Sequence, residues 1–123
     1  LLKNGVYEGC AICPGVRLGV EALSERAAEL PHISVERPPT PLGRNTVDAM
    51  RSGVLYGNAG LVDSMIARFE EAGGEEAASV VATGGNALPI LEYCNRNIIY
   101  DPNLLMDGLY LIYKKNAEKH RKG

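Results

Sequence analysis

Three short stretches of this 123-residue chain combine residue types that can do chemistry. Ala78-Ser79-Val80-Val81-Ala82 is an apolar, β-prone run that ends in Thr83-Gly84-Gly85 and reopens as a helix. A strand that delivers paired glycines to a helix start offers free backbone N–H groups and the positive end of a helix dipole. A phosphate or ribose can then approach without meeting Cβ atoms. The same turn also serves only to pack a helix on a sheet, and these residues leave both uses open. The second stretch, Arg44-Asn45-Thr46-Val47-Asp48, opens the longest helical pattern. Asn45 or Thr46 can cap it, Asp48 puts an acid in its first turn, and a hydroxyl there both donates and accepts hydrogen bonds. The third is Cys10-Ala11-Ile12-Cys13. On a strand, residues three apart point to opposite faces, and neither Cys94 nor His32 and His120 makes a second ligand pair. Small buried hydrophobes are the favoured reading of these thiols, with zinc or redox chemistry the competing one.

Composition narrows the field. A chain this short supports one compact domain with a modest core. Thirteen basic against fifteen acidic residues, interleaved, leave no basic stripe with stacking aromatics for a nucleic acid. The basic cluster at Lys114-Lys115 and Lys119-His120-Arg121-Lys122 suits a helix end and a solvated tail. No apolar run is long enough to span a bilayer, and the first residues lack a secretory signal, so a cytoplasmic protein with reduced thiols is expected. Leu1-Leu2-Lys3-Asn4-Gly5-Val6-Tyr7 starts without methionine, as if inside a hairpin, so the natural protein is expected to begin upstream.

The elements that must position these residues follow from periodicity. Asn4-Gly5 predicts a type I′ turn between Leu1–Lys3 and a strand over Val6–Ile12. Val16, Val20, Leu23, Ala27 and Leu30 make the apolar stripe of a helix that Pro31 ends, with Glu21, Glu25, Arg26 and Glu29 largely facing solvent. Residues 31–44 form a proline-rich connection in which Ile33-Ser34-Val35 can be a short edge strand. The long helix then runs from Thr46 to Gly73. Val54, Leu55, Leu61, Val62, Met65 and Phe69 are expected to supply its burial. Gly53, Gly57 and Gly60 form one face, each costing about 1 kcal/mol against alanine, which implies close approach of another backbone or a ligand. Packing within the chain and a dimer seam explain that face equally well. A short helix over Leu88–Cys94, a strand over Asn97–Tyr100 and a last helix with Leu105, Leu109, Ile112 and Tyr113 on its apolar face complete the order. The pattern is an α/β domain whose sheet starts antiparallel and continues with parallel strands.

Three junctions taken together resemble type III pantothenate kinase. They are Gly9-Cys10-Ala11-Ile12-Cys13-Pro14-Gly15-Val16-Arg17-Leu18, Gly43-Arg44-Asn45-Thr46-Val47-Asp48-Ala49-Met50-Arg51-Ser52-Gly53, and Val81-Ala82-Thr83-Gly84-Gly85. The tail Asp101-Pro102-Asn103-Leu104-Leu105-Met106-Asp107-Gly108-Leu109 is similar to that family's C-terminus, so the resemblance covers essentially the whole chain. It implies a ribonuclease-H-like fold of the acetate and sugar kinase, Hsc70 and actin superfamily. Residues 1–123 would be a partial second domain, without its first strand or the N-terminal half. It further implies ATP-dependent phosphorylation of pantothenate in coenzyme A synthesis, with a divalent metal such as Mg²⁺ and a monovalent cation, K⁺ or NH₄⁺. By position, Thr46 matches the threonine that contacts pantothenate, Thr83, Gly84 and Gly85 match the segment lining the adenosine and phosphate side, and the Thr46–Gly73 helix matches the one that pairs subunits. An older label for the family, as an accessory factor for virulence-gene transcription, finds no DNA-binding surface in these residues.

The departures set limits. The family's Asp-x-Gly-Asn-Thr phosphate loop, its Gly-Ala-Asp-Arg segment with the catalytic aspartate and its Asp-x-Gly-Thr-Ala-Thr loop have no counterpart here. No catalytic residue and no metal ligand is therefore assigned, and Asp48, Asp63, Asp101 and Asp107 read as turn or helix-surface acids. Cys10 and Cys13 stand where the family more often has small or apolar residues. The chain alone is expected to be inactive, and to associate through its unpaired sheet edge with other copies or with the missing half. The competing class is a non-enzymatic dimerisation module in which the paired glycines are only structural.

Overall fold

The computed structural model describes residues 2–26 and 30–121. Ala27 and Glu29, placed above on the first helix, and Lys122 of the basic tail lie outside them. Asn4 and Gly5 take φ of 51° and 77°, the left-handed pair that a type I′ turn needs, and they join β1 (Leu2–Lys3) to β2 (Val6–Tyr7). The register is Leu2 opposite Tyr7 and Lys3 opposite Val6. The second strand ends at Tyr7 rather than Ile12, and residues 8–15 continue as irregular backbone.

Helix α1 (Val16–Arg26) packs on α2 (Thr46–Gly73), the 28-residue helix that carries most of the core. Asn45 is the N-cap of α2: its Oδ1 accepts from the Asp48 backbone N–H at 2.9 Å while its Nδ2 donates to Asp48 Oδ2 at 2.7 Å. At the other end Gly74, at φ 73°, closes the helix through its N–H to Glu70 and Glu71 carbonyls. Leu55 and Ala59 of α2 meet Ile90, with Val16, Val35, Tyr93 and Cys94 around them. Met50 and Val54 are also buried, Val62, Met65 and Phe69 are half-buried, and Leu61 lies exposed, contrary to its expected role in the core.

The proline-rich connection is not a strand at Ile33–Val35. Hydrogen bonds to α2 side chains hold it instead. Arg51 donates to the Ser34 carbonyl at 3.3 Å and pairs with Glu36 at 2.8 Å, Ser52 Oγ donates to the Pro41 carbonyl, and Pro38 is fully buried. Beyond α2, β3 (Val81–Ala82) and β4 (Ile99–Tyr100) pair in parallel, Val81 opposite Ile99, linked through α3 (Leu88–Leu91). The helical turn expected over Leu88–Cys94 thus keeps only its first four residues as α-helix. Its end tightens, with Tyr93 and Cys94 N–H groups bonding three residues back, to the carbonyls of Ile90 and Leu91.

Among the described residues the two strand pairs are separate two-stranded sheets, not one continuous sheet. The final helix α4 (Leu104–Arg121) starts where expected, but Leu105, Leu109, Ile112 and Tyr113 are all more than half exposed, so its apolar stripe faces no core in this chain. Cys10 and Cys13 are exposed too, which removes the reading of both as small buried hydrophobes.

Candidate functional site

The loop before α2 folds tightly onto the helix it introduces. Gly43 lies so close to the first turn that a Cβ there would overlap the backbone of Ala49, so only glycine fits. Gly43, Arg44, Asn45, Thr46, Ala49, Met50 and Gly53 then form one wall of an open cleft of about 560 Å³, and Leu23 and Leu30 form another. That volume suits a small metabolite. The wall is apolar apart from its rim, where Arg44, Asn45 and Thr46 supply a cation, an amide and a hydroxyl.

Thr46 is exposed at this rim. Asn45 makes the capping bonds, so the Thr46 hydroxyl is not the helix cap, and Thr46 is among the residues that line the cleft. Thr46 and Gly53 therefore share one cleft. The structure does not bring Thr83, Gly84 or Gly85 to it.

Those three residues leave the end of β3. Gly84 sits at φ 100°, a conformation that L side chains rarely adopt, and its carbonyl accepts from Tyr100 Oη at 3.3 Å and from the Ala87 N–H at 3.1 Å. Thr83, Gly84 and Gly85 are exposed, and a Cβ on Gly85 would meet nothing within 4 Å. The helix that follows is a single turn, so it brings little dipole to the corner, and open backbone is what a ligand would meet.

A second, smaller cleft of about 210 Å³ lies beside α3, lined by Val35, Arg37, Leu55, Leu88, Pro89, Glu92 and Tyr93. The Arg37 guanidinium stands 5.9 Å from the Tyr93 ring centre, and Tyr93 meets Tyr56 edge-on at 4.8 Å. Sequence reasoning passed over Arg37 and Tyr93. Their only signal was an arginine in a proline-rich connection and an aromatic residue after a short helix, and neither has a spacing that predicts the contact.

Behind the corner, Asp63 of α2 accepts from the Asn95 backbone N–H at 2.7 Å, from Asn95 Nδ2 at 2.9 Å and from the Arg96 N–H at 3.2 Å. Desolvation pushes this carboxyl up, but the Asn95 and Arg96 bonds and the Arg96 charge outweigh it and hold it below the usual carboxylate range. Glu70 accepts from the Ala77 N–H and pairs with Arg96; these contacts outweigh its desolvation and lower its pKa too. Both carboxylates are therefore committed to holding the chain around β3 and β4. Among the described residues no three His, Cys, Asp or Glu side chains come together as a metal site.

Comparison with known proteins places the start of α2 within a segment matched by a family model. The model of the type III pantothenate kinase family matches residues 1–68. The chain is also 43% identical to the type III pantothenate kinase of Rubrobacter xylanophilus over 123 aligned residues, 96% of this chain and 47% of that relative. The chain thus spans about half the length of the curated relative it matches, and it belongs to the type III pantothenate kinase family.

Proposed function

We propose that the protein containing this chain phosphorylates pantothenate with ATP, in the first committed step of coenzyme A synthesis. The observation that carries this is the family match over the segment that builds the Thr46 cleft. Thr46 contacts pantothenate: Asn45 has taken over capping, which leaves the Thr46 hydroxyl for a ligand with hydroxyl and amide groups. Thr83, Gly84 and Gly85 line the ATP side, where a phosphate or ribose meets bare backbone. The fold is ribonuclease-H-like, this chain being most of the second domain, and the enzyme acts in the cytoplasm.

The general base, the remaining phosphate contacts and the ligands of Mg²⁺ and of K⁺ or NH₄⁺ lie in the other half of the protein, so residues 1–123 alone are inactive. Subunits pair through α2, whose Gly53, Gly57 and Gly60 are exposed and leave room for a neighbouring backbone. Phosphoryl transfer depends on positioning, so losing a substrate contact should lower kcat/KM for pantothenate more than for ATP. In the full-length protein Thr46→Val should cost about 10-fold or more in kcat/KM for pantothenate, the size of one unmade hydrogen bond to a polar substrate. An unchanged value would take Thr46 out of the substrate site, and full-length protein without pantothenate-dependent ATP turnover would end the kinase proposal.

A further inference from the structure

Ser52 is the one buried polar residue among those described. A serine inside a helix commonly turns its hydroxyl back to the carbonyl four residues earlier. Ser52 instead donates to the Pro41 carbonyl, outside the helix. The segment it holds has few other anchors. Among the described residues no backbone-to-backbone hydrogen bond involves residues 37–44, so side chains and packing must fix its path. Arg51, beside Ser52 on α2, donates Nε to the Ser34 carbonyl at 3.3 Å and Nη2 to Ser34 Oγ at 3.1 Å and to Glu36 at 2.8 Å. Thr40 Oγ1 donates to the Leu42 carbonyl at 2.8 Å, which tightens the bend around Pro41, and the Gly43 backbone then lies against Ala49. The cleft wall of Gly43, Arg44, Asn45 and Thr46 begins two residues after the carbonyl that Ser52 holds.

We propose that Ser52 is a positioning residue for this cleft: its bond to Pro41 sets where Gly43 and Arg44 stand relative to Thr46, and so how well a ligand fits between them. The inference rests on the reading of the cleft as the pantothenate site. Ser52 is not among the residues that line the cleft, so it acts through the wall rather than on the ligand. Without its hydroxyl the Pro41 carbonyl loses its donor, and the wall is free to shift. Such a shift weakens binding of the ground state and the transition state alike, which raises KM and leaves kcat in place.

In full-length protein Ser52→Ala should raise KM for pantothenate about 5-fold, the size of one hydrogen bond, with kcat held within about 2-fold and KM for ATP unchanged. A role in overall stability alone would lower kcat through lost active enzyme and leave KM where it was. Trypsin reads the same segment without any substrate. Cleavage after Arg44 should be about 5-fold faster in Ser52→Ala, because a protease needs the chain locally free. Arg51→Met, which releases the connection at Ser34 and Glu36, should move both readouts in the same direction. Unchanged cleavage after Arg44, or faster cleavage with an unchanged KM for pantothenate, would overturn the proposal. Unmutated full-length protein without pantothenate-dependent ATP turnover would end the kinase reading instead, and the cleavage rates would then decide whether Ser52 holds the wall.

Discussion

Asp63 shows how one carboxylate on a helix flank can hold a loop of another element. Its three accepted bonds fix Asn95 and Arg96 just before β4, and β4 is the partner on which β3 and the Thr83-Gly84-Gly85 corner rest. The folded-state pKa lies below the ordinary value of 3.8, so this stabilisation is fully present above that value and fades as the pH falls through the lower folded one. In the full-length protein, Asp63→Asn should lower unfolding stability by about 1 kcal/mol at pH 7, a figure kept small by solvent screening. By pH 3 the difference should have narrowed. Urea denaturation at the two pH values checks this, and equal losses at both would show that the negative charge contributes nothing.

At the level of elements, α2 presents a contradiction that a substitution can resolve. Gly53, Gly57 and Gly60 each weaken the helix, yet a Cβ on any of them would meet nothing within 4 Å in this chain. Within one chain Gly57→Ala should therefore stabilise by about 1 kcal/mol. If a second subunit packs against this face, the added methyl groups should weaken association. Dilution monitored by sedimentation should find a stabler subunit and a weaker dimer. A stabler protein with unchanged association would release these glycines from any interface.

The ends of α2 were legible in the sequence because they are written locally, in Asn45 with Asp48 at one end and Gly73-Gly74 at the other. The Asn4-Gly5 turn was legible for the same reason. Strand lengths were not, since Val6–Ile12 has the composition of a strand but hydrogen bonds come from neighbours that composition does not name. The stripe of α4 was read correctly as apolar, whereas its exposure depends on what lies across from it. Around the cleft, a cap at Asn45 or Thr46 could be anticipated. The cleft could not, because Leu23 and Leu30 reach it only through the packing of α1 on α2.

Taken whole, the chain buries little. The buried apolar residues among those described are Met50, Val54, Leu55, Ala59 and Ile90, besides Pro38. Leu105, Met106, Leu109, Tyr110, Ile112 and Tyr113 meanwhile leave α4 with an apolar flank in solvent, and two strand pairs keep open edges. Residues 1–123 expressed alone should therefore elute larger than a monomer and bind a hydrophobic dye. Co-expression with the remainder of the protein should abolish both effects. A monodisperse monomer with no dye binding would show that this surface needs no cover.

Lys3 gives the long helix a second role. Its Nζ donates to the Gly73 carbonyl at 3.1 Å and pairs with Glu75 at 3.2 Å, which pins the hairpin to the C-terminal end of α2, while Thr46 and its cleft stand at the N-terminal end. The 28 residues between make a rod about 42 Å long. Pivoted at the lysine, such a rod is a lever: a tilt of about 5° would carry Thr46 through about 3.7 Å, more than the full length of a hydrogen bond. On the proposed reading of Thr46, a displacement at the hairpin would thus reach the substrate side through a single continuous helix.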